Sequence, residues 1–230
     1  MNRPYIVCHM VMTPDGKVTG EFLSTPECEA AAELYYDINR EDPATAFACG
    51  RVTMEGSFTH GWQPDLAPFE GAEVEPGDFV AQAAARRYAV AFDRRGRLGW
   101  QAAEIEDADP GYGGSHIVEV LSSAAPLAYR AYLRSIGVSY IVADDIPTAL
   151  CKLSELFGIE RMLLEGGADI NGAFLRAGAV DELSLVLAPV IGAAGDKSLF
   201  SGAVLTSFVS MGVEQPEGAY PVLRFKRRGE

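Results

Sequence analysis

The sequence predicts an α/β protein with a mostly parallel central sheet flanked by helices and a C-terminal antiparallel hairpin. Three observations carry this. Short apolar runs alternate with segments of helical periodicity, the pattern of a parallel sheet with crossover helices. Two of those runs end in glycine where a strand should hand over to a helix: Ala46-Phe47-Ala48-Cys49-Gly50-Arg51-Val52-Thr53 and Arg161-Met162-Leu163-Leu164-Glu165-Gly166-Gly167. The tail instead reads as two strands around a Pro216/Gly218 turn.

Tyr5 to Met12 is nearly continuously apolar, as in a strand buried on both faces. Thr13-Pro14-Asp15-Gly16 supplies a turn, and residues 13–25 read as a mobile loop. Ser24-Thr25-Pro26-Glu27 starts a helix with a hydroxyl cap, proline in the first turn and an acid after it. Ala31, Leu34, Tyr35 and Ile38 continue that helix to Asn39. Further strands are expected at 44–49, 88–92, 117–121, 139–143, 161–164 and 182–188. Helices are expected at 53–57, 79–86, 126–136, 148–157 and 170–177. Residues 58–78, rich in Gly, Pro and acid, read as a surface loop. The tail strands are placed at 205–213 and 220–226. No repeat or low-complexity tract divides the chain, so residues 1–230 are expected to form one domain.

Composition narrows the function. The chain has 230 residues, 48% of them hydrophobic, which is enough for a full core. A formal net charge of −13 weighs against nucleic acid, whose binders are basic. No apolar run reaches the ~18 residues a membrane helix needs. Met1-Asn2-Arg3-Pro4 leads directly into a strand, so no signal peptide is expected. Cys8, Cys28, Cys49 and Cys151 are isolated, which fits reduced thiols and a cytoplasmic protein. His9, His60 and His116 lack ligand spacing, so no metal is expected. His9 lies inside an apolar strand, the setting of a satisfied buried histidine. There is no G-x-S-x-G elbow, no Walker loop, and no H-x-E with P-C-x-x-C of a zinc deaminase.

Four segments can carry chemistry. Glycine at a strand-to-helix corner lets backbone approach a phosphate, and the helix start beyond it presents free N–H groups. At Gly50-Arg51-Val52-Thr53 this means Arg51 against a ribose phosphate and Thr53 on a pyrophosphate oxygen; the alternative is an ordinary capped corner. At Glu165-Gly166-Gly167, a carboxylate precedes two glycines at a strand end, which suits close approach of a ligand; the alternative is a glycine turn with a solvated acid. Asp15-Gly16-Lys17 is either a plain turn or, at the end of the first strand, part of a site. Asp93-Arg94-Arg95-Gly96-Arg97 puts three arginines after a strand in an acidic chain. It is either a solvated turn or a site for the 2′-phosphate that distinguishes NADPH from NADH.

Together these segments resemble the reductase domain of the bifunctional riboflavin biosynthesis deaminase/reductase, within the dihydrofolate-reductase-like superfamily. The residues that carry the resemblance are Met12-Thr13-Pro14-Asp15-Gly16-Lys17, Gly50-Arg51-Val52-Thr53, and Leu163-Leu164-Glu165-Gly166-Gly167 with Asn171 and Phe174-Leu175. Asp181-Glu182-Leu183 and Ala188-Pro189-Val190-Ile191-Gly192 complete the pattern, over about residues 4–227. The resemblance implies a homodimeric, stand-alone reductase that uses NADPH on a ribosylamino-pyrimidine phosphate. It implies that Lys17 and Glu165 face the pyrimidine ring. By motif it implies a cofactor site from Gly50, Arg51, Thr53, Gly166 and Gly167, with Val52, Ile170 and Asn171 beside them. Val11 and Met12 are expected at the nicotinamide because the first strand ends beside both glycine turns, and the arginine cluster itself puts Arg94 and Arg95 at the 2′-phosphate. The sequence departs from the family after the first corner: Met54-Glu55-Gly56-Ser57-Phe58 stands where an Asp-Asp-Pro-type segment is usual, and no arginine occurs between Arg51 and Arg86. Two other readings are open. One is dihydrofolate reductase, for which Glu29, Glu33 or Asp37 on the first helix would supply the acid. The other is a nucleotide-binding protein without catalysis.

Overall fold

The structure, a computed structural model, describes residues 3–216 and 220–229. In chain order the main elements are β1 (Tyr5–Met12), α1 (Pro26–Glu41), β2 (Ala46–Gly50), α2 (Arg51–Met54), β3 (Tyr88–Phe92), β4 (His116–Leu121), α3 (Leu127–Ser135) and β5 (Ser139–Val142). There follow α4 (Ile146–Phe157), β6 (Arg161–Leu164), α5 (Ala168–Arg176), β7 (Glu182–Leu187), β8 (Phe208–Glu214) and β9 (Val222–Arg227). The chain divides into two compact units, one of Met1–Pro4 with Ala44–Met162, the other of Tyr5–Pro43 with Leu163–Glu230.

The first unit holds β5-β4-β3-β2 in that order, all parallel. Register pairs Gly50 with Phe92 and Phe92 with Val120, so the strands end at one edge. Phe47, Val90, Val118, Tyr140 and Ile141 are fully buried, because helices cover a parallel sheet on both faces. Helix α4 starts where the Asp145 carboxylate accepts the Thr148 N–H at 2.7 Å, two residues earlier than the apolar stripe suggests. It stops at Gly158, which takes a left-handed φ of 64°.

The second unit holds β1-β7-β9-β8. β1 and β7 are parallel, with Val11 opposite Val186 and Met12 opposite Leu187. β9 runs antiparallel to β7 and β8, the expected C-terminal hairpin. Of its turn, Gly218 lies outside the described residues. Helix α1 begins as the sequence indicates: Thr25 Oγ1 accepts the Cys28 N–H and Pro26 occupies the first turn. His9 is fully buried and satisfied, with Nδ1 2.9 Å from Ser184 Oγ and Nε2 3.0 Å from Tyr35 O. Its ring stacks on Tyr35 at 4.3 Å, and burial pushes its pKa down to about 4.

Several expectations need correction. Residues 79–86 are not a helix. Phe79 exchanges both backbone hydrogen bonds with Tyr140 of β5, at 2.8 and 2.9 Å, and Ala81 N–H donates to Ser139 Oγ. Arg134 lies 4.6 Å over the Phe79 ring. These tertiary partners override the helix propensity of the alanines. The helix expected at 53–57 starts at Arg51, with Gly50 as its N-cap, and widens into a π turn over Glu55–Thr59. Residues 13–25 are hydrogen-bonded rather than loose: Val18 N–H donates to Lys197 O and Leu199 N–H to Gly16 O. β8 begins at Phe208, leaving Leu205 fully exposed.

Candidate functional site

In the second unit the candidate residues converge around the end of β1. The turn after it closes through Thr13 N–H to Lys17 O at 3.0 Å. Thr13 Oγ1 donates to Asp15 Oδ1 at 2.6 Å and accepts the Lys17 N–H at 2.9 Å. Asp15 also accepts the Gly192 N–H at 3.1 Å. These bonds, the Thr13 hydroxyl foremost, hold the Asp15 carboxyl below its ordinary range. Lys17 Nζ donates to Asp196 O at 3.0 Å. Gly192 is required here, since a Cβ on it would sit 2.4 Å from Lys17 Cγ. Lys17 is therefore a held side chain.

Glu165 follows β6 and is buried, and Asn39 of α1 donates its side-chain amide to Glu165 Oε1. Gly166 takes φ 95°, and its peptide to Gly167 is cis. A Cβ on Gly166 would meet Met10 Sδ and Cε at 3.0 Å, so the bare backbone packs directly on β1. Gly167 is the N-cap of α5 and offers no side-chain cap. The first turn of α5 thus keeps N–H groups without an intrahelical partner, at the positive end of the helix dipole. Asn171 is buried, and its Nδ2 donates to Leu199 O at 3.2 Å. Ile170, on the same turn, is half-buried, as are Val11 and Met12.

The segment 192–201 joins these pieces, and sequence reasoning missed it. Leu199 N–H donates to Gly16 O while Leu199 O accepts from Asn171. Ser201 N–H donates to Ala168 O, and Lys197 Nζ pairs with Asp169 at 2.8 Å. The Lys17 turn and the start of α5 are thereby tied to one strap. Gly192 and the Asp196-Lys197 pair were the available signals, but nothing in their spacing points to Lys17 or Asn171.

In the first unit, parallel register brings two candidate turns to one edge, after β2 and β3. Gly50 ends β2 and caps α2. Val52 is 70% exposed and Thr53 half-buried. Arg51 is paired within its own helix, Nη1 to Glu55 Oε2 at 2.6 Å, which offsets the charge expected to face a ribose phosphate. Arg94 and Arg95 are exposed on the turn after β3. The buried Asp93 carboxylate organises that turn by accepting the N–H groups of Arg95, Arg97 and Leu98. Ser122, after β4, donates both N–H and Oγ to Arg94 O.

The residues fit a nicotinamide cofactor on two structural grounds. The Gly166–Gly167 backbone carries no side chain beside the uncapped start of α5, and the arginine turn is exposed. Within the second unit, Gly166, Gly167, Ile170 and Asn171 are the residues suited to such a group. Within the first, taken by itself, Gly50, Thr53, Arg94 and Arg95 are suited to a phosphate. Among the described residues no group of His, Cys, Asp or Glu is placed to bind a metal, and no helix is long and apolar enough to cross a membrane.

Comparison with known proteins places the chain in a family. The chain is 28% identical over 194 residues to a 2,5-diamino-6-ribosylamino-4(3H)-pyrimidinone 5′-phosphate reductase of Methanothermobacter thermautotrophicus, covering 82% of this chain and 79% of that one. Its fold matches Acinetobacter baumannii RibD with a TM-score of 0.69 at 22% identity, covering 98% of this chain but only 58% of that longer one. It also matches a pyrimidine reductase-like protein of Corynebacterium diphtheriae with a TM-score of 0.67 at 16% identity, covering 99% and 93%. The model of the RibD C-terminal domain matches residues 4–217. The chain belongs to the RibD C-terminal domain family.

Proposed function

We propose that the chain is an NADPH-dependent reductase of riboflavin biosynthesis that delivers hydride to a C=N or C=O group of a ribosylamino-pyrimidine phosphate. The observation that carries this is the Glu165-Gly166-Gly167 corner: a buried carboxylate held by Asn39, followed at once by bare backbone and an uncapped helix start. The archaeal relative, named for a pyrimidinone phosphate, supplies the substrate class. When bound, NADPH would supply the hydride and be left as NADP⁺, and water would supply the proton that the reduced N or O atom takes up. Glu165 accepts hydrogen bonds from ring N–H groups of the substrate. Lys17 donates to a ring carbonyl and withdraws electron density from the reacting carbon. Asn39 and Asp196 fix these two side chains before substrate arrives, so little reorganisation is left for the reaction. Val11 and Met12 provide an apolar wall for the nicotinamide. The exposed Arg94 and Arg95 favour NADPH over NADH.

The described units act in this reading as one reductase domain, in the cytoplasm, as a homodimer. The dimer is supported by β8, an edge strand that among the described residues pairs only with β9, with Val209, Met211 and Val213 exposed. Sedimentation checks it: a single species at the 24.7 kDa chain mass at micromolar concentration contradicts it. Calorimetric titration tests the cofactor, and oxidation of reduced nicotinamide in a screen of ribosylamino-pyrimidines and pterins tests the reaction. Failure of both NADPH and NADH to bind below millimolar overturns the reading, and turnover of dihydrofolate but no ribosylamino-pyrimidine replaces the substrate class.

A further inference from the structure

Behind the arginine turn of the first unit lies a buried polar cluster that the proposed reaction does not use. Glu119 of β4 is fully buried. Trp100 Nε1 donates to its Oε1 at 2.6 Å, and Tyr129 Oη lies 2.8 Å from the same oxygen. Among the described residues Oε2 has no hydrogen-bond partner. Tyr129 Oη also lies 2.6 Å from Leu98 O, and Tyr132 Oη donates to Trp100 O. The cluster therefore grips both ends of the 98–100 segment, next to the residues held by Asp93.

The protons can be counted. Tyr129 has one hydroxyl hydrogen and two oxygen neighbours. Leu98 O is a carbonyl and only accepts, so at 2.6 Å it takes that hydrogen. The remaining contact, 2.8 Å between Tyr129 Oη and Glu119 Oε1, then needs a hydrogen from Glu119. A neutral acid also explains the orphaned Oε2, because an unpartnered buried carbonyl oxygen costs far less than an unpartnered carboxylate oxygen.

We infer that Glu119 is a positioning residue held as a neutral acid, whose O–H donates to Tyr129, whose O–H in turn donates to Leu98 O, fixing the loop that presents Arg94, Arg95 and Arg97. The titratable groups around it are Asp93 at the end of β3 and Tyr129 and Tyr132 on α3. Burial first, and the negative charge of Asp93 second, push the Glu119 carboxyl well above the usual range. Ionised Glu119 would face both Asp93 and a tyrosine oxygen that has no second hydrogen to give, so the grip on Leu98 would fail. The consequence for the cofactor rests on reading the arginine turn as its phosphate site; the proton count does not.

The test compares the wild type with Glu119→Gln, which keeps the size and the acceptor but cannot ionise. Unfolding constants are measured in urea across a pH series. Above the ordinary glutamate value of 4.5, the unfolded wild type releases a proton that the folded protein keeps. Its unfolding constant should therefore rise about tenfold per pH unit relative to the variant. A ratio that stays flat from pH 5 to 8 overturns the proposal. Should Glu119→Gln not fold, carboxyl-carbon NMR of glutamate-labelled wild type decides. One resonance should stay at the protonated position above the pH at which the other glutamates titrate, and shift in Tyr129→Phe; ordinary titration of every glutamate overturns the proposal. NADPH affinity should weaken at the pH where Glu119 ionises, in the wild type and not in the variant. Absence of NADPH binding at every pH, with the tenfold slope intact, supports the proton assignment and overturns the phosphate reading of the turn.

Discussion

Replacing Gly166 by alanine perturbs the proposed cofactor corner with a single methyl group. The native φ of 95° disfavours any L side chain, at roughly 1–2 kcal/mol by the usual cost of left-handed backbone. The new Cβ would stand 3.0 Å from Met10 Sδ and Cε, a contact that the flexible thioether relieves only in part, for about 1 kcal/mol more. A loss of about 2–3 kcal/mol leaves the protein folded, against a typical total of about 5–15. With a urea dependence of about 2–3 kcal/mol per molar, the midpoint should fall by about 1 M. Any residual backbone shift displaces the approach to the cofactor, so the NADPH dissociation constant should rise about tenfold or more, equivalent to ~1.4 kcal/mol. Urea unfolding followed by circular dichroism and calorimetric titration measure the two effects. Because Met10 is the neighbour that must move, Met10→Ala and Gly166→Ala should be non-additive, the double variant losing about 1 kcal/mol less than the sum. Strict additivity, or an unchanged midpoint and affinity in Gly166→Ala, would refute the argument that close packing on β1 dictates glycine there.

Three further outcomes are expected. Glu165→Gln and Lys17→Met should each lower kcat/KM for the true substrate by about 10²-fold or more while NADPH affinity stays within a few-fold; wild-type turnover in both would remove them from the reaction. Arg94→Ala or Arg95→Ala should weaken NADPH by about 1.5–3 kcal/mol and leave NADH nearly untouched, so equal losses in parallel titrations would place the 2′-phosphate elsewhere. The buried His9, lowered from 6.5 to about 4, contributes stability that is complete above pH 6.5 and falls away as pH drops toward 4. The total is about 3 kcal/mol, read as a pH-dependent difference from His9→Gln in urea unfolding, and a flat difference would show that His9 titrates normally.

Local signals in this sequence translated well wherever they were also the physical cause. The Thr25-Pro26 cap and the apolar period behind it are what start α1, so they could be read directly. The alternation of strand and helix likewise marks the parallel strands, because crossovers demand it. Residues 79–86 failed for the opposite reason. Their alanines favour a helix locally, but Phe79 has a strand partner in Tyr140, sixty-one residues on, that no local pattern announces. The site shows the same division. Lys17, Glu165 and the glycines stand out by type and position. Asn39, Asp196 and Leu199 matter only through the fold, since an asparagine in a helix and a leucine in a loop carry no chemical signature until they are seen holding Glu165, Lys17 and Asn171. Arg51 is the inverse case: prominent in sequence, it is occupied by Glu55, four residues along the same helix.

That occupation bears on how a chain of net charge −13 can accept an anionic cofactor. Bulk charge repels the ligand, so attraction must come from cations that no carboxylate has already neutralised. Arg40, Arg51, Lys152 and Lys197 each contact a carboxylate oxygen at 2.6–2.9 Å. Arg94, Arg95 and Arg97 form no such contact among the described residues; the nearest influence is the charge of Arg94 on Asp144, a minor cause of that acid's lowered pKa behind the Ser123 hydrogen bonds. The turn is held instead by an acid that never reaches the guanidinium groups. Asp93 binds backbone N–H groups, fixing where the arginines stand while leaving their donors open to solvent. A fixed turn with open forks loses little entropy on meeting a phosphate, and the acidic surround keeps anions without a matching fork away. On this argument selectivity and affinity separate: neutralising remote surface acids should raise the association rate for NADH and NADPH alike, whereas substitutions in the Asp93-held turn should change the preference between the two.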